Sequence, residues 1–376
     1  MPIESLSMSM FPRRSPGPEL RHGPFLERLT DAGVDVHPVE QSRVGWWLDG
    51  LGVRRALGSL AGRRGVDAVL GWWAELAYST ELLATRRIFA GTLAAAPYSL
   101  WWGRRAGRPR WLHRRMDERL VAATARRSDR VFANSAHTAS QVRSLLGVEP
   151  RRIEIVHPPV SDRFAKPDRL VSGRIERLIF FGRLRPKKGI FDLIEALGAL
   201  GEARWRLKVA GSGDADGVLR AAHRAGIVDR VTLLGEIEPD ELSRELEWAQ
   251  LAVLPSHEES FGLAVAEAQV AGLPVVAYDI GAIPEILASE GEVSGWLVPV
   301  GRVDRLTAAI AEALSDGDEA RRRSGGAQRN ARRLLAHSPG RMILGSIEAW
   351  RSDPLAHDRP SKTPGRDARG TTTDSR

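Results

Sequence analysis

A short apolar or β-branched run, a turn containing Gly or Pro, and a stretch with apolar residues at helical spacing follow one another along the whole chain. In the first half the strand-like runs are LSMSMF near the start, VDVHPV (34–39), DAVLGWW (67–73), PYSLWW (97–102), RVFANS (130–135) and RIEIVHP (152–158). In the second half they are RLIFFGR (177–183), WRLKVAG (205–211), RVTLLG (230–235), LAVLPS (251–256) and PVVAYD (274–279). Strands that alternate with helices predict parallel sheets covered on both faces. The two series are parted by the proline-rich VHPPVSDRF and a polar stretch up to Glu176. The pattern therefore predicts an α/β protein of two doubly wound domains.

Composition narrows this picture. A chain of 376 residues, 43% of them hydrophobic, is long enough for two domains of ordinary size. It contains no cysteine, which excludes disulfides, a thiolate nucleophile and Cys-ligated zinc, and makes the reducing cytoplasm the expected compartment. No apolar run reaches the length of a membrane span, and the first residues, MPIESLSMSMFPRR, lack a signal-like apolar core. The formal charge of +8 raises phosphate-bearing partners, nucleic acid or an anionic membrane as possibilities. Between Arg104 and Arg130 there are ten Arg against three acids. With Trp111 among them, PRWLHRRMDERL suits the surface of an anionic bilayer, although a solvated basic helix would read the same way. Nothing resembles a helix-turn-helix, an RNA-binding or a zinc motif, so nucleic acid explains the charge poorly. From Asp353 the chain has almost nothing to bury and is expected to be a disordered tail.

In open parallel sheets ligands bind beyond the carboxyl ends of the strands, so the loops after strands are where chemistry is expected. The loop RLRPKKG (183–189) places Arg183, Arg185, Lys187 and Lys188 ahead of the helix IFDLIEALGAL. A helix N-terminus favours negative charge, and four cations there call for an anionic guest such as a diphosphate. The loop VAGSGDADG (209–217) permits tight turns but is a weak signal. EESFGLAVAE (258–267) sets Glu259 before a helix and Glu267 eight residues on, inside an apolar run. A carboxylate in such surroundings needs a partner or a task. Eight helical residues span roughly 12 Å, too far for a hydrolytic carboxylate pair at about 5–9.5 Å. The two acids instead suit different parts of one long ligand: diphosphate on the basic loop, ribose at Glu267, sugar near Glu259. Glu258 and Glu259 could equally be helix-capping acids.

RLIFFGRLRPKKGIFDLIEAL, then PSHEESFGLAVAEAQVAGLPVVAYDIGAIPEIL, then GWLVP resemble, in order and spacing, the C-terminal half of the retaining glycosyltransferases of family 4, which have the GT-B fold of two Rossmann-like domains facing a cleft. The resemblance covers roughly residues 130–350 and implies residues 1–165 as an acceptor-binding domain and 166–336 as a nucleotide-sugar-binding domain. A final helix, 337–352, would return to the first domain. It implies that Arg183 and Lys188 bind the donor diphosphate and that Glu259 lies at the transferred sugar. Gly182 and the backbone of Phe261, Gly262 and Leu263 would also meet the donor, and Glu267 would hold the ribose. The donor would be a UDP- or GDP-linked sugar, the acceptor a glycan, a lipid or a small molecule, and neither a cofactor nor a metal is expected.

The first half departs from the family's pattern. Where many members have two adjacent glycines after the first strand, this chain reads RRSPGPELRHG. The His that commonly follows the strand corresponding to PYSLWW is absent, the next being His113. Two further readings follow: a partner subunit that binds a nucleotide sugar without turnover, and an epimerase or hydrolase on the same fold. Seven of the eleven Trp precede residue 112. Trp72, Trp101 and Trp102 end strand-like runs and are the candidates for the acceptor side of the cleft.

Overall fold

The computed structural model describes residues 6–10, 36–40, 68–72, 89–94, 122–171, 173–201, 203–289 and 291–353. Among them are two six-stranded sheets, parallel throughout. The first contains β1 (Leu6–Met10), β2 (Val36–Glu40), β3 (Ala68–Trp72), β4 (Phe89–Ala94), β5 (Arg130–Ala133) and β6 (Ile153–Ile155), in the order β2-β1-β3-β4-β5-β6. The second contains β7 (Arg177–Phe181), β8 (Arg206–Ala210), β9 (Val231–Gly235), β10 (Leu251–Leu254), β11 (Val275–Tyr278) and β14 (Gly295–Val298), in the order β14-β11-β10-β7-β8-β9. A small antiparallel ribbon pairs β12 (Ala288–Ser289) with β13 (Glu292–Val293).

Two strands differ from the sequence expectation. β4 is FAGTLA, whose Gly and Ala give little of the β-branched signal by which strands are found. It takes the place between β3 and β5, and PYSLWW (97–102) lies outside the described residues. The short GWLV of β14 closes the second sheet beside β11, with Val275 opposite Gly295 and Tyr278 opposite Val298.

Helices connect the strands as the parallel pairing requires. After β5 comes α1 (Ala136–Leu146). The second sheet carries α2 (Ile190–Gly198), α3 (Ala215–Arg224), α4 (Pro239–Trp248), α5 (Leu263–Val270), α6 (Ile283–Leu287) and α7 (Val303–Ser315). Two more, α8 (Gly317–Ala336) and α9 (Pro339–Ser352), end the described chain. The strands β7, β10 and β11 are buried almost throughout, as a sheet covered on both faces must be. Their side chains join α2, α5 and α7 in one core running from Val160 to Leu335. α9 leaves that core and packs on the first sheet: Trp350 meets the Phe89 ring edge-on at 5.5 Å, and Ser346 donates to Glu154 at 2.7 Å.

The second sheet winds outward from β7 in both directions, through β8 and β9 on one side and β10, β11 and β14 on the other. This is the Rossmann strand order, and it reverses between β7 and β10. The loops at that reversal hold the two charged motifs.

Candidate active site

Because β7 and β10 are neighbours, the loops leaving their carboxyl ends, 182–189 and 255–262, lie side by side. The β7 loop passes through a short 3₁₀ turn, Pro186–Lys188, to Gly189 at φ +71°. A Cβ on Gly189 would stand 1.8 Å from the carbonyl oxygen of Pro255, so only glycine allows the loops to meet this closely. A backbone bond from His257 N–H to the Lys187 carbonyl, 2.9 Å, completes the contact. On the other flank Leu184 N–H donates to Ser212 and Asp214 N–H donates to Leu184, fastening the β7 loop to the glycine-rich loop after β8.

The contact brings opposite charges together. The Lys187 ammonium donates to Glu258 and the Lys188 ammonium to Glu259. The second pair sits deeper: Glu259 is 16% exposed, against 35% for Glu258. The sequence predicts four cations awaiting an anionic guest; in the structure Lys187 and Lys188 already meet carboxylates from the adjoining loop. Neither acid caps the helix that follows, since the N-cap of α5 is Gly262, at φ +97°, with no side-chain bond. Phe261 is buried, Gly182 and Arg183 are exposed at the end of β7, and Glu267 is half-buried in the second turn of α5. Only residues 263–267 of the Glu259-to-Glu267 interval are helical.

A second polar cluster supports the β10 loop. Asp192 accepts from the Tyr278 hydroxyl at 2.6 Å and lies 2.9 Å from His257 Nε2. Burial and the Asp192 bond push the tyrosine's pKa up, so it stays a hydroxyl donor. This support for the β10 loop is invisible in the sequence, where Asp192 and Tyr278 lie 86 residues apart.

At the other edge, Phe261 packs against the His157 ring at 5.3 Å, and His157 packs against His337 at 5.0 Å. The His157 N–H donates to His337 Nε2 at 3.0 Å, joining the segment after β6 to the joint between α8 and α9. These are two of the places where the chain passes between the sheets. Burial, with His337 and Arg333 nearby, lowers the His157 pKa to about 4; burial and Arg333 lower that of His337. His157 Nε2 lies 3.6 Å from Glu285, but with the imidazole neutral this is no ion pair at neutral pH. Burial raises the Glu285 pKa, opposed by N–H donors from Ala136 and His137 and by Arg333.

Arg169, another residue without a sequence signal, donates to the carbonyls of Leu246 and Ala271, at 2.7 and 3.2 Å, and to those of Glu247 and Ala249. It thereby ties the ends of α4 and α5 together. Of the acceptor-side candidates, Trp72 ends β3, while Trp101 and Trp102 lie outside the described residues, as do Gly17, His113 and residues 354–376. Among the described residues no group of His, Asp or Glu is gathered as a metal site, and no helix is long and apolar enough to cross a membrane.

Two parallel, doubly wound domains with charged loops at the second sheet's reversal define a GT-B protein. Residues 163–330 match the model of the group 1 glycosyl transferases, and residues 13–164 match that of glycosyltransferase family 4. The chain belongs to this glycosyltransferase family. It is 32% identical over 203 residues to the D-inositol 3-phosphate glycosyltransferase of Segniliparus rotundus, a match covering 50% of this chain and 45% of the relative. With the protein of that name from Mycobacterium marinum it shares 32% over 253 residues, 64% of this chain and 52% of the relative. The chain thus spans about half the length of the curated relatives it matches. In fold it is similar to HepE of Anabaena in complex with UDP (TM-score 0.72, 17% identity, 92% of this chain and 100% of that one). It is similar also to sucrose-phosphate synthase of Thermosynechococcus elongatus (TM-score 0.74, 17% identity, 92% and 98%).

Proposed function

We propose that the protein is a retaining glycosyltransferase that moves a sugar from a nucleoside-diphosphate sugar to a hydroxyl of a glycan, lipid or small-molecule acceptor. The observation that carries this reading is the Lys188–Glu259 pair at the reversal of the second sheet, beside the N-terminus of α5. An ammonium and a carboxylate that neutralise one another can exchange partners. A diphosphate that takes Lys188 releases Glu259 to the sugar.

In the proposed reaction Lys188, Arg183 and the N–H groups at the start of α5 stabilise charge developing on the departing diphosphate. This is electrostatic preorganisation, in place before the bond breaks. Glu259 orients the sugar and offsets positive charge at its anomeric carbon. Gly182 and the backbone of Phe261, Gly262 and Leu263 meet the phosphates and sugar, and Glu267 holds the ribose hydroxyls. The chemistry uses no metal. Trp72, Trp101 and Trp102 are proposed on the acceptor side, and the Arg-rich segment as a contact with anionic membrane at its cytoplasmic face. The names of the relatives make inositol phosphate one of the first acceptors to try. UDP in a neighbour's complex makes UDP-sugars the first donors.

The test is calorimetry of UDP-, GDP- and TDP-sugars against the wild type and Lys188→Ala. One donor is expected to bind and to weaken at least tenfold in the variant, about 1.4 kcal/mol. If no sugar nucleotide binds, or the substitution leaves affinity unchanged, the reading fails. With donor and acceptor in hand, NMR of the product's anomeric centre checks retention.

A further inference from the structure

The donor loop is held from two directions. Gly281, in the turn before α6, packs on the backbone of Glu259 so closely that a Cβ there would lie 2.2 Å from the Glu259 carbonyl oxygen. Four residues later the Glu285 carboxylate reaches across to the first domain and accepts the N–H of Ala136 at 2.9 and 3.2 Å. The His137 N–H reaches the same carboxylate. Ala136 and His137 open α1, so these are N–H groups that no turn of that helix can satisfy. On the opposite side, Arg333 donates to the carbonyls of Glu285 and Ile286 at 3.0 and 3.2 Å and fixes the α6 turn.

A second contact joins the same parts. Ser135, the N-cap of α1, has its hydroxyl 3.2 Å from the carbonyl of Ser260, next to Glu259. Its single proton has two other acceptors in reach, Thr138 Oγ1 at 2.9 Å and Asn134 Oδ1 at 3.3 Å. The Glu285 contact has no such competition and is charge-assisted, aimed at the positive end of a helix and three-quarters shielded from water. Of the two contacts, Glu285 makes the stronger.

We propose that Glu285 is a positioning residue: through the N-terminus of α1 it holds the loop 259–261 in register with the first domain, so that a sugar carried by the second domain faces the acceptor side. The positioning role rests on the glycosyltransferase reading above, whereas the join between domains does not. Glu285 touches neither donor nor acceptor in this scheme, so its loss should act on the chemical step more than on donor affinity.

The absence of cysteine makes the test direct, because two introduced cysteines can be labelled alone. Nitroxides at Leu145→Cys on α1 and Arg224→Cys on α3, both exposed, report the distance between the domains by double electron–electron resonance. A narrow distribution is expected in the otherwise wild-type chain and a broadened one in Glu285→Ala, with Glu285→Gln, which keeps one acceptor oxygen, between them. With the donor that calorimetry identifies, kcat should fall roughly 10²-fold in Glu285→Ala, the effect of misplacing a reacting group by about 1 Å. Donor affinity should change little, and Glu285→Gln should recover part of the rate. An unchanged distribution overturns the proposal whatever the rate, and so does a broadened one with wild-type kcat. If Glu285→Ala does not melt cooperatively, Glu285→Gln is judged by the same two outcomes. If the wild type binds no sugar nucleotide, the glycosyltransferase reading fails with it, and the distances alone decide whether Glu285 joins the domains.

Discussion

The loops at the reversal of the second sheet and the crossing near His157 both bring polar groups together, and they do so in opposite ways. At the loops, full charges face full charges: Lys187 on Glu258 and Lys188 on Glu259, each more than 15% exposed. At the crossing, burial lowers the pKa of both imidazoles, and the backbone N–H of His157 donates to His337 Nε2. Ion pairs that keep some contact with water are individually worth little, and a charged ligand can replace either partner. A half-buried neutral bond is costlier to break, because the donor and acceptor left behind regain water only in part. The first region is therefore suited to ligand exchange and the second to holding the domains.

The most severe way to break the comparison is at Gly189, where the loops touch. Gly189→Ala must adopt φ near +71° and push the Pro255 carbonyl away. Strain and overpacking each contribute on the order of 1–3 kcal/mol. Chemical unfolding should show a loss of roughly 2–6 kcal/mol, the sum of the two, together with loss of donor binding. A variant of wild-type stability would mean that the loops part freely and that the charged pairs are not built into the fold.

Next in size is Glu259→Gln, which keeps shape and removes charge. On the proposed mechanism kcat should fall about 10²–10³-fold, or roughly 3–4 kcal/mol, with the donor's affinity altered far less. The substitution also frees Lys188, so tighter donor binding with slower turnover would fit the exchange of partners. Equal loss in kcat and affinity would show that Glu259 only binds.

These two residues also show how far the sequence could be read. The rhythm of the strands disclosed two parallel domains, and Lys188 and Glu259 stood in contiguous motifs whose local chemistry was plain. What local reading could not supply was pairing across the fold. It predicted an anionic guest for four cations, because Glu258 and Glu259 meet Lys187 and Lys188 only once β7 and β10 are neighbours. Glu285 stood in a quoted motif, yet its partner, Ala136, is 149 residues away. The His157–His337 bond spans 180 residues, and neither histidine carries a local signal. β4 escaped because Gly91 and its alanines replace the residues by which a strand is recognised.

Acid should test the crossing. The His157 pKa is lowered from 6.5 to about 4, so its contribution to stability is complete above pH 6.5 and is lost as pH falls from 6.5 toward 4. At 1.36 kcal/mol per pH unit the loss is at most about 3 kcal/mol. His337, also lowered, acts in the same direction; Glu285, 3.6 Å from His157, would offset part of the effect once His157 is charged. Urea unfolding at pH 7.5, 6 and 4.5 should therefore show a steeper decline in the wild type than in His157→Gln. Parallel slopes would show that His157 does not titrate with unfolding.

The finest distinction lies within the loops, between two pairs one residue apart. Lys187–Glu258 is at the rim, with side chains 40% and 35% exposed, while Lys188–Glu259 has 34% and 16%. For the rim pair a double-mutant cycle of Lys187→Ala and Glu258→Ala, read by unfolding, should give a coupling below about 1 kcal/mol. Donor affinity should remain within about threefold, less than about 0.7 kcal/mol. The inner pair should couple more strongly in the same cycle, because Glu259 is shielded, and each of its single variants should alter donor binding or turnover. If the rim pair instead controls affinity as strongly as the inner one, the diphosphate is bound across both lysines, and the division between an exchanging pair and a bystander disappears.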